Sequence, residues 1–213
     1  MGRLLLFAVG VAIGIVVWIA LARRRAARLG RSRLLDQVAA ILGGRVRHSR
    51  RDLTRGAVEF EHAGRTFSLL REERIQDSSI LPCCVIEADV KDYRWPAIEV
   101  RERSPHTGPP LPAGLQPVTG GELAIARGYH VYAEPADFDR ARRLFSDDTT
   151  GAALAYALDR ELARIHLSAR GVWLECAGFP ANAELAAATA RTCAGALAAL
   201  LAAAEEPATT PSS

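Results

Sequence analysis

Lysine is almost missing from this chain: of 213 residues only Lys91 is a lysine, so nearly all positive charge is arginine. That leaves no Gly-Lys-Ser/Thr phosphate loop and a single candidate for Schiff-base chemistry. Cysteine is scarce too. Four cysteines in 213 residues exclude a disulfide-framework miniprotein. They form no C-x-x-C, and the five histidines (His48, His62, His106, His130 and His166) show neither H-x-x-x-H nor H-E-x-x-H spacing. Neither G-x-S-x-G nor G-x-G-x-x-G occurs, so no nucleophile elbow or dinucleotide fingerprint is present. From these absences neither a metal nor a cofactor is expected, and the catalytic residues, if any, are unknown. Aromatics make up 6% of the chain; alanine and arginine dominate, the bias of a GC-rich bacterial genome.

The net charge of +3 conceals an asymmetry. Residues 1–55 carry twelve arginines against Asp36 and Asp52, a net of +10, whereas residues 56–213 carry fifteen basic and twenty-two acidic groups, a net of −7. An acidic bulk repels phosphate, so nucleic acid is not an expected partner.

The basic residues lie beside an apolar run. Residues 4–22, LLLFAVGVAIGIVVWIALA, are nineteen positions without charge or proline. At about 1.5 Å per helical residue they span roughly the 30 Å hydrocarbon core. Residues 1–22 are therefore expected to be a transmembrane helix, with Trp18 as an interfacial anchor. Residues 23–34 are a basic juxtamembrane segment. Arg23, Arg24, Arg25, Arg28, Arg31 and Arg33 are expected to contact anionic lipid headgroups, and their excess over Arg3 places the C-terminal part in the cytoplasm. The expected location is the bacterial plasma (inner) membrane, with a single pass. Ala20-Leu21-Ala22 also reads as a small-x-small cleavage site, so export after cleavage at Ala22 is the competing reading. Gly10 and Gly14 form a G-x-x-x-G through which two helices could approach, giving a homodimer.

Residues 35–206 read as one α+β domain. A short helix over residues 32–42 is capped by Ser32, packs Leu35, Val38 and Leu42 on one face, and stops at Gly43-Gly44. Residues 45–48 read as an edge strand. Val58 and Phe60, then Phe67 and Leu69 after a turn at Ala63-Gly64, predict a hairpin. Residues 83–90 and the segment around Ile98 and Val100 predict two further strands, with Cys84, Ile86 and Ala88 on one side and Cys83 facing outward. Residues 104–121 hold five prolines and four glycines and read as a loop unable to hold a ladder. A strand follows at residues 129–133. Pro135 and Asp137 then open a helix bearing Phe138, Ala141, Leu144 and Phe145, and a second helix carries Leu154, Leu158 and Leu162. Residues 163–168 and 172–176 predict another hairpin. Asn182 caps a final helix with Leu185, Thr189, Cys193, Leu197 and Leu201 on one stripe. Residues 207–213 read as a disordered tail. The order argues for a mainly antiparallel sheet with helices packed on one face.

Glu59 to Ser68 (EFEHAGRTFS), the stretch HVYAEPADFDRARRLF from His130 to Phe145, and the later hairpin RIHLSARGVWLECAG together resemble a group of uncharacterised bacterial membrane-associated proteins, a domain-of-unknown-function family. Its recurring features are a G-x-x-x-G-R hairpin, a strand F-x-V-x-(S/A), an acidic helix start and an A-R-x-L-(L/F) helix. Here these correspond to Phe60–Arg65, His130–Ala133, Asp137 and Ala141–Phe145. His130 departs from the aromatic or apolar residue of the strand pattern, and Ala57 from the glycine of the hairpin. The likeness covers residues 35–203. It implies a membrane-linked α+β domain and no catalytic residue.

The candidate chemistry has structural explanations. Asp137 and Asp139 form a D-x-D, a pattern that can hold a divalent cation, but at a helix start they more simply favour the dipole. Asp147-Asp148 before Thr149-Thr150 reads as capping. Glu61-His62 and His130 with Glu134 are acid/base pairs by spacing alone. The expected function is thus a cytoplasmic domain that binds a protein or small ligand near the bilayer without catalysis. The alternative is a membrane-tethered enzyme with a dispersed site drawing on His130, His166 or Cys83.

Overall fold

Alternation of apolar and polar residues builds the sheet. The computed structural model describes residues 33–48, 56–76, 79–90, 96–102, 111–119, 123, 129–146, 148–158, 164–168 and 171–205. Its strands are β1 (Arg45–His48), β2 (Gly56–His62), β3 (Arg65–Gln76), β4 (Ser79–Ala88), β5 (Ile98–Glu102), β6 (Gln116–Pro117), β7 (Tyr129–Ala133), β8 (Arg164–Ser168) and β9 (Gly171–Ala177). They form one sheet in the order β1-β2-β3-β4-β9-β8-β5-β7-β6, and every pairing is antiparallel. The hairpin β8–β9 thus inserts between the first four strands and β5, joining the two halves of the sheet.

The helices are α1 (residues 33–42), α2 (Phe138–Ser146), α3 (Asp148–Leu158) and α4 (Ala183–Glu205), with a 3-10 turn over Pro135–Asp137. The fold class is α+β. Val58, Phe60, Phe67, Leu69, Cys84, Ile86, Ile98, Val100, Val131, Ile165, Leu167, Val172, Leu174 and Cys176 all point to one side and share one core with the buried residues of the helices. Their cross-strand neighbours lie side by side: Phe60 opposite Phe67, Leu69 opposite Ile86, Ile86 opposite Leu174, Ile165 opposite both Leu174 and Val100. Period-2 alternation aims each of these positions at the helix layer.

Local signals explain most boundaries. Asn182 Oδ1 accepts the backbone N–H of Glu184 at 2.7 Å and of Leu185 at 3.3 Å, capping α4. The β2–β3 hairpin turns through Ala63 (φ 49°) and Gly64 (φ 74°), the double positive φ that a two-residue hairpin favours. α1 ends with Gly44 N–H on Ala39 O at 2.8 Å. A Cβ added at Gly44 would lie 2.2 Å from Glu59 O, so only glycine lets the chain pass this close to β2.

α4 is long and apolar enough to cross a bilayer, with mean hydropathy 1.5, yet 61% of that window is buried, and α4 packs on β2, β3, β4, β9 and α3. Its alanines (Ala186, Ala187, Ala190 and Ala194 among them) are buried, and their small size lets helix and sheet approach closely. Four residues of the expected stripe are buried, but Leu185 is 54% exposed: Ala186 and Ala187 beside it are buried, so Leu185 falls at the rim of the arc that α4 turns to the core.

Two further expectations are corrected. The end of the proline-rich stretch does hold a ladder: Gln116 and Pro117 pair with Ala133 and Tyr132, and Val118 N–H bonds to Val131 O at 2.9 Å. Pro117 is tolerated because β6 is an edge strand, where a missing N–H donor costs no ladder bond. The strand expected over residues 83–90 begins four residues earlier, at Ser79, as the return arm of a long hairpin with β3. The expected transmembrane helix, with Gly10, Gly14 and Trp18, and the arginines Arg23, Arg24, Arg25, Arg28 and Arg31 lie outside the described residues, as does the tail; Arg33 is exposed at the start of α1.

Candidate functional site

The other face of the sheet carries no described helix. Cys83 and Val85 are buried on that face and fall outside the helix-side core. Sheet order brings residues from distant segments together on it. Glu99 of β5 is opposite His166 of β8 on one side and Tyr132 of β7 on the other, Arg101 of β5 is opposite Arg164 of β8, and His166 is opposite Trp173 of β9.

Glu99 is the centre of this cluster and is 0% exposed. Arg164 Nε donates to its Oε1 at 2.7 Å, and Arg101 Nη2 lies 2.8 Å from the same oxygen. Oε2 accepts no hydrogen bond among the described residues; His166 Nδ1, also without one, faces it at 3.9 Å, too far for a hydrogen bond. Burial works to raise the Glu99 carboxyl, but His166 and the two guanidiniums outweigh it and hold the group below the usual carboxylate range. Aromatic rings wall the cluster. His166 stacks on Trp173 at 4.9 Å, Arg164 lies over Trp173 at 5.2 Å, and Arg101 lies over Tyr132 at 5.6 Å.

Beside the cluster, sharing Trp173, a cavity of about 340 Å³ opens between β3, β4 and β9. Leu70, Val85 and Trp173 give it apolar walls, and Glu72, Arg74 and Glu87 line it with charge. Arg74 is committed to Glu175, with bonds of 2.7 and 3.1 Å, and reaches Glu72 at 3.3 Å. No cation pairs with Glu87 among the described residues. Its carboxyl is pushed up by burial and by the negative charges of Glu72 and Asp89.

The residues singled out in the sequence are distributed as follows. His130, His166 and Cys83 share the helix-free face, but none of the three lines the cavity. His130 stands edge-on to Tyr132 at 6.1 Å. Cys83 faces away from the helices as expected, yet it is only 6% exposed. Burial, followed by the charge of Glu175, pushes its thiol up to about 12, which suits a buried small side chain and not a nucleophile. Glu61 and His62 point to opposite faces: Glu61 accepts from Thr66, whereas His62 meets Phe67 at 6.4 Å and lies near Gly195 of α4. Asp139 pairs with Arg142 at 2.8 Å one turn along α2, and among the described residues no group of three His, Cys, Asp or Glu side chains could hold a metal.

Glu99, Arg101, Arg164, Tyr132 and Trp173 were not anticipated. The usable signal was an aromatic on the outward phase of an alternating strand, Trp173 between Val172 and Leu174 and Tyr132 between Val131 and Ala133. A bulky ring at a position assigned to solvent suggests that something packs there. No family model, curated protein or solved structure matches this chain.

Proposed function

We propose that this chain is a single-pass protein of the bacterial plasma membrane whose cytoplasmic α+β domain binds a protein or small ligand through the helix-free face of its sheet, without turning it over. The observation that supports this best is the one-sided covering of the sheet among the described residues: helices bury one face, and the other presents a cavity beside a charged, aromatic cluster. Such a concave surface with few convergent polar groups suits recognition. The chemistry of the face leans the same way, since Glu99 and Glu175 are held by arginines and burial keeps the Cys83 thiol protonated. The apolar run at residues 4–22 and the arginines after it supply the anchor and its orientation. Membership of the membrane-associated family resembled by residues 35–203 belongs to the same proposal.

A photo-crosslinking side chain tests the binding face. Ser68 lies on the helix-free face, and Ala188 is exposed on α4. In the full-length chain in membranes, the proposal expects a discrete adduct from position 68 and none from position 188. Adducts confined to position 188 contradict it.

A further inference from the structure

We propose that the cavity between β3, β4 and β9 takes the ammonium or guanidinium end of an alkyl-stemmed cation, whether a free polyamine or a basic side chain of a peptide. This rests on the reading of the helix-free face as a binding surface and names its ligand class.

The charges decide the sign. Of the three charged residues lining the cavity, Arg74 already serves Glu175 and Glu72. Glu87 has no cationic partner among the described residues, and Glu72 and Asp89 add negative charge around it. A cation entering here relieves that repulsion, whereas an anion adds to it.

The walls decide the kind of cation. A hard metal ion needs about six oxygens around it, and no group of three ligating side chains exists among the described residues. Leu70 and Val85 instead offer an apolar surface to an alkyl stem, and Trp173 offers an indole to the charged end. The indole is braced in place by His166, stacked on it at 4.9 Å. The volume of about 340 Å³ falls within the range of small-ligand pockets.

The test is calorimetry on the full-length chain in nanodiscs of neutral phosphatidylcholine, with spermidine, a trilysine peptide, magnesium chloride and sodium phosphate as separate titrants. The expected result is saturable binding of spermidine, of trilysine or of both; which of them binds identifies the source. Glu87→Gln should weaken that binding about tenfold or more, the loss expected for one charge-assisted contact. The Glu87 side chain makes no hydrogen bond or ion pair among the described residues, so this variant keeps the fold. Glu61→Gln, which removes a carboxylate elsewhere on the same face, should leave the affinity unchanged. Failure of both amines to bind, an equal loss in Glu61→Gln, or magnesium binding as tightly as spermidine overturns the assignment. Phosphate binding alone, lost in Arg164→Gln, overturns the cation assignment but leaves the face as a binding surface. Absence of all binding together with absence of an adduct at position 68 removes both.

Discussion

Removing the Glu99 carboxylate should cost far more than removing a carboxylate that serves two exposed arginines, and the sheet supplies both cases. Glu99 is fully buried between Arg101 and Arg164, whose side chains are only 15% and 16% exposed. Glu99→Ala takes the counter-charge from the largely buried Arg164 and removes a close partner of Arg101, a loss of about 3–5 kcal/mol. Glu59 also serves two arginines, Arg45 at 2.9 Å and Arg47 at 2.6 Å, but those guanidiniums are 67% and 62% exposed. Water solvates them when the carboxylate goes, so Glu59→Ala should cost about 0.2–1 kcal/mol. In thermal unfolding of the full-length chain in non-ionic detergent, followed by circular dichroism, this separates the two variants by roughly 4–20 °C. Glu99→Gln, which keeps the shape and an acceptor, should fall between them. The pH dependence follows from the lowered carboxyl of Glu99. Its stabilising contribution is complete above the unfolded-state value of about 4.3 and is lost as the pH falls through the lower folded-state value. The gap between wild type and Glu99→Ala should therefore be full at neutral pH and narrow in acid. Equal losses for Glu99→Ala and Glu59→Ala would refute the buried cluster.

Three further outcomes are expected. Gly44→Ala should destabilise the fold by about 1–3 kcal/mol in urea titration, because the new methyl meets backbone, Glu59 O at 2.2 Å, and not a yielding side chain; a neutral result would mean that α1 and β2 separate easily. Thr189 of α4 is buried and its hydroxyl has no hydrogen bond among the described residues, so Thr189→Val, of the same shape, should raise stability by about 1 kcal/mol. Cys83, with its thiol pushed up to about 12, should resist iodoacetamide in the native chain at pH 8 and react once the chain is unfolded in urea, as mass mapping of the labelled peptides would show; rapid native labelling would contradict the burial.

The helix-side core was legible because it obeys a local rule. Val58 and Phe60, Phe67 and Leu69, Ile98 and Val100 alternate with polar residues, and a period of two needs no tertiary knowledge to read. The Asn182 cap and the Ala63-Gly64 turn are local in the same sense. The site was not legible, because its parts meet only through sheet order. Glu99 and Arg164 lie 65 residues apart, and nothing near either residue says that β8 and β9 slot between β4 and β5. His166 could be singled out from its type alone, but its partners could not. Cys83 shows the limit of alternation: the pattern gave its side of the strand correctly, but being on the helix-free side did not mean being in water. Leu185 shows the converse, an apolar residue on the expected stripe that lies at the rim of the buried arc of α4. The proline-rich stretch was misread at its end because edge position, which makes Pro117 acceptable, is a property of the assembled sheet.

Carbonate extraction with protease digestion, on membranes from cells producing the full-length chain, tests the central claim most directly. The account predicts that the protein stays in the carbonate pellet with its N-terminal residues intact, and that the domain is cut in inverted vesicles but protected in spheroplasts. Release into the carbonate supernatant, a mature N-terminus beginning after Ala22, or digestion in intact spheroplasts would contradict it.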